Sequence, residues 1–146
     1  MSKILVINGP NLDLLGKRET DIYGDETIET INSAIDAEAT KKKVKVEFYQ
    51  SNHEGDIVDK INGTKAAGIL INPAAYTHTS VAIHDALRAK EIPTVEVHLS
   101  NIYAREEFRH KSLIAPVVTG QISGFGKSSY VLGFKALLEI INAQPA

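Results

Sequence analysis

The 146-residue sequence contains no cysteine. Disulfides, cysteine-ligated zinc, iron–sulfur clusters and thiol nucleophiles are excluded by inventory, and nothing argues for secretion. No apolar run approaches the roughly 18 residues of a membrane-spanning helix, so no membrane association is expected. The chain opens Met1-Ser2-Lys3 and passes straight into a short apolar strand, without a signal peptide's longer apolar core and cleavage site. A cytoplasmic location is the resulting expectation.

A basic excess is also missing. With a net charge of −2, and its one lysine run, Lys41-Lys42-Lys43, between two expected elements, the chain has no field suited to a polyanion. Nucleic acid is therefore not an expected partner. The first loop lacks the Gly-x-Gly-x-x-Gly of dinucleotide folds. Gly126-Lys127-Ser128 is preceded by Gly120, which leaves five intervening residues where a phosphate-binding loop needs four. A receiver domain would carry acidic residues where the sequence reads Asn8-Gly9 and Ile71-Asn72. No cofactor is expected. The histidines at 53, 78, 84, 98 and 110 show no His-x-x-x-His spacing, and no metal is expected, although His53, His78 and His98 remain a lesser alternative as a converging metal set.

What is present is alternation. Short β-branched runs occupy Lys3–Asn8, Val44–Gln50, Gly68–Asn72, Pro93–His98 and Val117–Ile122, each punctuated by Gly, Pro or Asn. Helical periodicity fills Thr27–Thr40, Glu54–Asn62, Ser80–Lys90 and Ser128–Asn142. Strands this short and apolar, alternating with helices, predict a doubly wound five-stranded parallel sheet of flavodoxin-like kind, with helices on both faces and residues 1–146 as a single domain. Ligands in such sheets bind beyond the carboxyl ends of the strands, where strand order reverses, so the chemistry is sought in the residues that follow each strand.

The connection after the first strand, from Asn8 to Gly24, is far longer than usual. Gly16 and Gly24 bracket a segment with Arg18 and Tyr23 that suits a mobile lid. A free phenol has a pKa of about 10, and a guanidinium beside it favours the phenolate, so Arg18 and Tyr23 together suit a base. By position alone the same pair better suits a tyrosine that plugs the lid against the body and a solvated surface charge. After the third strand, Asn72 and His78 are expected to face the crevice. In the fourth strand Glu96 and His98 stand two apart on one side, where the carboxylate can orient the imidazole as an acid for a leaving hydroxyl, or simply form a buried pair. The backbone N–H groups of Leu99 to Asn101 follow, and Arg105 and Arg109 read as a short helix that either holds an anionic substrate or pairs with Glu106 or Glu107.

Taken together, Gly9-Pro10-Asn11-Leu12, Leu14 to Glu19, Ile22-Tyr23-Gly24, Gln50 to Gly55, Thr77-His78-Thr79-Ser80, Glu96 to Asn101 and Ala104 to Arg109 closely resemble the type II 3-dehydroquinate dehydratases over essentially the whole chain. The resemblance implies a lyase that removes water from 3-dehydroquinate by anti elimination through an enolate, in the shikimate pathway or in quinate breakdown, without metal or cofactor. It implies Tyr23 as base, Arg18 as the lid arginine that keeps the phenol acidic, Asn11 as holder of a water against the enolate oxygen, and His98, oriented by Glu96, as acid. Asn72, His78, Leu99, Ser100 and Arg109 resemble the substrate pocket, and Asp85 a residue that reaches in from a neighbouring subunit. A homododecamer built from trimers is implied with it. Four positions depart from the family pattern. Ala74 stands where glycine is common, His84 where arginine often precedes the aspartate, and Asp13 and Thr20 replace the commoner Asn and Pro. A Schiff-base lysine, as in the unrelated type I enzymes, is disfavoured because no lysine sits in an apolar run. A binding protein with a decayed site is the rival from outside enzymology.

Overall fold

The computed structural model describes residues 2–17, 19–23 and 25–143, with Tyr23 described through its backbone alone. Arg18, Gly24 and the Tyr23 side chain thus lie outside the described residues. Five strands, β1 (Lys3–Asn8), β2 (Lys45–Gln50), β3 (Gly68–Asn72), β4 (Thr94–His98) and β5 (Gly120–Ser123), form one all-parallel sheet in the order β2-β1-β3-β4-β5. The expected α/β class and flavodoxin-like strand order are both present. The helices are α1 (Thr20–Tyr23), α2 (Ile28–Lys42), α3 (Glu54–Gly63), α4 (Val81–Lys90) and α5 (Lys127–Ala143).

Side chains of a strand alternate between faces, so β1 divides its apolar residues between two cores. Ile4 and Val6 join Leu70, Val95 and Val97 beneath α2 and α5. Leu5 and Ile7 join Ile69 and Ile71 beneath α3 and α4. The central strands are buried on both faces, which is why they read as continuous apolar runs. α2 begins at a reciprocal cap in which Thr27 and Thr30 each accept from the other's backbone N–H. Ser80 caps α4 by accepting from Ile83 N at 2.9 Å.

Two glycines set close approaches that matter for the site. A Cβ on Gly133 would stand 2.6 Å from Val97 Cγ1, so its absence lets α5 lie flat on the sheet and carries Tyr130, one turn earlier, to the ends of β1 and β3. A Cβ on Gly9 would meet the Pro73 carbonyl oxygen at 2.4 Å. There the loops after β1 and β3 touch, and Gly9 N donates to Asn72 O at 2.8 Å.

Two local expectations differ from the structure. The fifth strand starts three residues later than its β-branched run, because Ala115–Val117, with Pro116, closes a 3-10 turn and Thr119 N donates instead to Thr94 O. The short helix through Arg105 and Arg109 is replaced by two 3-10 turns, Ile102–Ala104 and Glu107–Arg109. Arg105 is extended between them, and its carbonyl bonds to His110 Nε2 at 2.9 Å rather than to a helical N–H.

Candidate active site

The carboxyl ends of β1, β3 and β4 surround a cleft of about 230 Å³, at the place where strand order reverses. Asn11, Asn72, His78, His98, Leu99, Ser100 and Arg109 all line it. The β1 loop, the β3 loop and the end of β4 therefore contribute to one site.

Asn11 sits in the left-handed region at φ 67°, a conformation that asparagine tolerates. Its N–H donates to Asn52 Oδ1 at 3.0 Å, and Gln50 Nε2 donates to the same oxygen and to Gly9 O, both at 3.2 Å. The end of β2 thus holds the root of the loop that presents Asn11. The Asn11 carboxamide makes no hydrogen bond among the described residues, and it faces the cleft with its donors and acceptor available.

Behind the opposite wall lies the dyad. Glu96 has no exposed surface, and its Oε2 is 2.5 Å from His98 Nε2. Thr77 Oγ1 donates to the same oxygen at 3.0 Å, and the Ser112 hydroxyl lies 3.0 Å from both carboxylate oxygens. Ser112 Oγ accepts from Ile114 N and Ala115 N, so its single hydrogen is left for the carboxylate. Burial alone would raise the Glu96 carboxyl, but the bond to His98, its charge and the Ser112 hydroxyl outweigh burial and hold the group below the ordinary carboxylate range. A carboxylate only accepts, so Nε2 of His98 carries a hydrogen, and Nδ1 is the ring nitrogen left to exchange a proton in the cleft.

His78 is oriented differently. Its Nδ1 is 2.8 Å from the Lys111 carbonyl oxygen, which can only accept, so Nδ1 carries the hydrogen. Burial, together with the nearby His98 and Arg109 charges, holds His78 below the usual imidazole range despite the Lys111 bond. A neutral His78 therefore offers the Nε2 lone pair as an acceptor. The Leu99 and Ser100 N–H groups have no hydrogen-bond partner among the described residues and are available to an anion at this wall. Arg109 adds positive charge, with Nε 2.5 Å from Glu106 Oε2 and its guanidinium 4.9 Å from the Phe108 ring centre.

Asp85 is not brought to this cleft. It lies on the outer face of α4, largely exposed, with Oδ1 2.9 Å from His84 Nδ1. No group of three or more His, Asp or Glu side chains able to hold a metal occurs among the described residues, and His53 stands instead at the start of α3.

The Dehydroquinase class II family model matches residues 2–138. The chain belongs to that family. It is 59% identical over 145 residues to a 3-dehydroquinate dehydratase of Caldicellulosiruptor bescii, covering 97% of this chain and all of that one. With the 3-dehydroquinate dehydratase of Acaryochloris marina it shares 61% over 143 residues, covering 97% and 96%. The crystal structure of the type II dehydroquinase from Butyrivibrio crossotus superposes with a TM-score of 0.91 at 50% identity, covering 94% and 97%. Membership makes the chain an enzyme of the hydro-lyase kind.

Sequence reasoning did not single out Thr77, Ser112 or Tyr130. Thr77 and Ser112 reach Glu96 across 19 and 16 residues, and Tyr130 reaches Asn8 across 122. For Thr77 and Ser112, the one available signal was that a buried carboxylate beside a histidine needs further donors. Tyr130 offered a comparable hint as a lone polar aromatic on the apolar face of α5.

Proposed function

We propose that this chain converts 3-dehydroquinate to 3-dehydroshikimate by anti elimination of water through an enolate, as a step of the shikimate pathway or, under other demands, of quinate breakdown. The observation that carries the proposal is the fully buried Glu96 carboxylate bonded to His98 at the wall of a cleft in a chain of this family.

The residues divide the reaction into two halves. Tyr23, as phenolate beside Arg18, removes a proton from the carbon next to the ketone, and the electron pair moves onto the carbonyl oxygen. Asn11 holds a water that donates to this developing enolate oxygen, so its stabilisation grows toward the transition state. The enolate then re-forms the ketone as the carbon–oxygen bond to the departing hydroxyl breaks, and His98 Nδ1 delivers a proton so that water leaves. Glu96 balances the imidazolium before transfer and fixes its tautomer. The Leu99 and Ser100 N–H groups, with Arg109, receive the substrate carboxylate, while Asn72 and His78 meet ring hydroxyls. These side chains supply the acid, the base and the anion site without a metal or cofactor.

In this reading residues 1–146 form a single catalytic domain that works in the cytoplasm. The exposed position of Asp85 suits a residue that completes the cleft of a neighbouring copy in trimers assembled into a dodecamer.

The test is direct. Wild type given 3-dehydroquinate in the presence of a chelator should form the conjugated enone, followed by its absorbance, and a folded Tyr23→Phe should be slower by about a thousandfold or more. A wild type that is inert, or active only when a divalent metal is restored, contradicts the proposal.

A further inference from the structure

We propose that Tyr130 is a positioning residue that fixes Asn72 as a hydrogen-bond donor toward the substrate; the inference rests on the reading of Asn72 as a substrate contact. Asn72 is almost fully buried, and only the edge of its carboxamide reaches the cleft. An amide can present either its oxygen or its nitrogen to a ligand, and the two choices recognise opposite partners.

Three hydrogen bonds decide the choice. The Ala74 N–H, which can only donate, lies 3.0 Å from the Asn72 side chain, so Oδ1 must be there. Nδ2 then points to Tyr130 OH at 2.8 Å and spends one of its two hydrogens on it. Tyr130 accepts that hydrogen and uses its own to reach Asn8 Oδ1 at 2.6 Å. The chain of donors thus runs from Asn72 through Tyr130 to Asn8, across three elements, and leaves one Asn72 N–H for the cleft.

Tyr130 suits this task and no proton-transfer role. It is fully buried, burial pushes its phenol up, and it therefore stays protonated and keeps one sense of donation. Its place depends on Gly133, which brings α5 against Val97 and Leu70.

The result complements His78, whose Nε2 is an acceptor. A ring hydroxyl in the cleft can accept from Asn72 and donate to His78, whereas an ether or a bare methylene can satisfy only one or neither. Tyr130 would thereby help specify a substrate that carries a free hydroxyl at that position, although it touches no substrate atom.

Steady-state kinetics with 3-dehydroquinate, alongside thermal melts, test this with Tyr130→Phe, Asn72→Ala and the double variant. Tyr130→Phe keeps the ring and removes only the hydroxyl. Its KM should rise about tenfold, the size of one oriented neutral hydrogen bond, with kcat changed far less, because Asn72 holds ground and transition states alike. Asn72→Ala should raise KM at least as much, and the double variant should be no worse than Asn72→Ala alone. Asn8→Ala, which removes the acceptor that fixes the tyrosine's hydrogen, should raise KM in the same way and serves if Tyr130→Phe does not fold.

A lower melting temperature with unchanged KM in Tyr130→Phe or Asn8→Ala would make the network purely structural and overturn the inference. Multiplying penalties in the double variant would overturn it too. Asn72→Ala with wild-type kinetics would instead remove Asn72 from the substrate contacts and take the inference with it, while wild-type turnover of 3-dehydroquinate would still support the proposed reaction.

Discussion

Glu96 and His98 show how much a single buried residue needs from its neighbours. A carboxylate with no exposed surface is tolerable only when donors replace the water it lost, and three side chains do so here. Glu96→Gln keeps the shape but removes the charge that stabilises the imidazolium, so a folded variant should lose about a hundredfold or more in kcat, with the loss read in the enone assay. The pH dependence of stability follows from the same groups. His78 is held below the usual imidazole range, so the unfolded chain binds its proton more readily and stability starts to fall as the pH drops below about 6.5. Glu96 is held below the carboxylate range, so its contribution is present above about pH 4.3 and is lost as the pH falls through its folded value. Melting temperature measured against pH should therefore decline from about 6.5 and more steeply below about 4.3, and a flat profile across both ranges would refute these assignments.

The helices and strands differ in how far they could be read beforehand. The strand ends were legible because Asn8, Asn72 and His98 each terminate an apolar run, and a parallel sheet puts those ends on one edge. The helix expected from Arg105 to Arg109 was not realised because carbonyl satisfaction there comes from His110, a local side-chain choice that periodicity does not register. The start of the fifth strand was displaced for a similar reason, as the turn around Pro116 takes up residues of high β propensity. Ala74 stands where glycine is common, and its backbone is at φ 53°, a region that glycine enters without strain and alanine does not. The Asn72 Oδ1 bond to Ala74 N holds that strained turn in place. Ala74→Gly should raise unfolding stability by about 0.5 to 1 kcal/mol, since relief of the left-handed strain exceeds the glycine entropy cost. Urea denaturation measures it, and a destabilised variant would contradict the account of this turn.

Among the described residues, the chain behaves as a frame that brings three loops to one edge while leaving Asp85 outside the cleft. Asp85 lies on α4, away from the cleft that its own chain forms. If it completes a neighbour's site, Asp85→Ala and Tyr23→Phe damage different chains of the same composite centre. Co-refolded mixtures of the two weakened variants should then recover measurable activity, because some clefts pair an intact Tyr23 with an intact Asp85. Recovery no greater than the sum of the separate variants would place Asp85 outside the chemistry. The deciding question for the molecule is whether acid and base act as the separate groups proposed. His98→Ala should be incubated with 3-dehydroquinate in deuterium oxide, with exchange next to the ketone and enone formation followed together. The account predicts deuterium uptake at that carbon with little enone, since Tyr23 still removes the proton while no acid assists the leaving hydroxyl. Enone formation at the wild-type rate would contradict the role of His98 and, with it, the proposed mechanism.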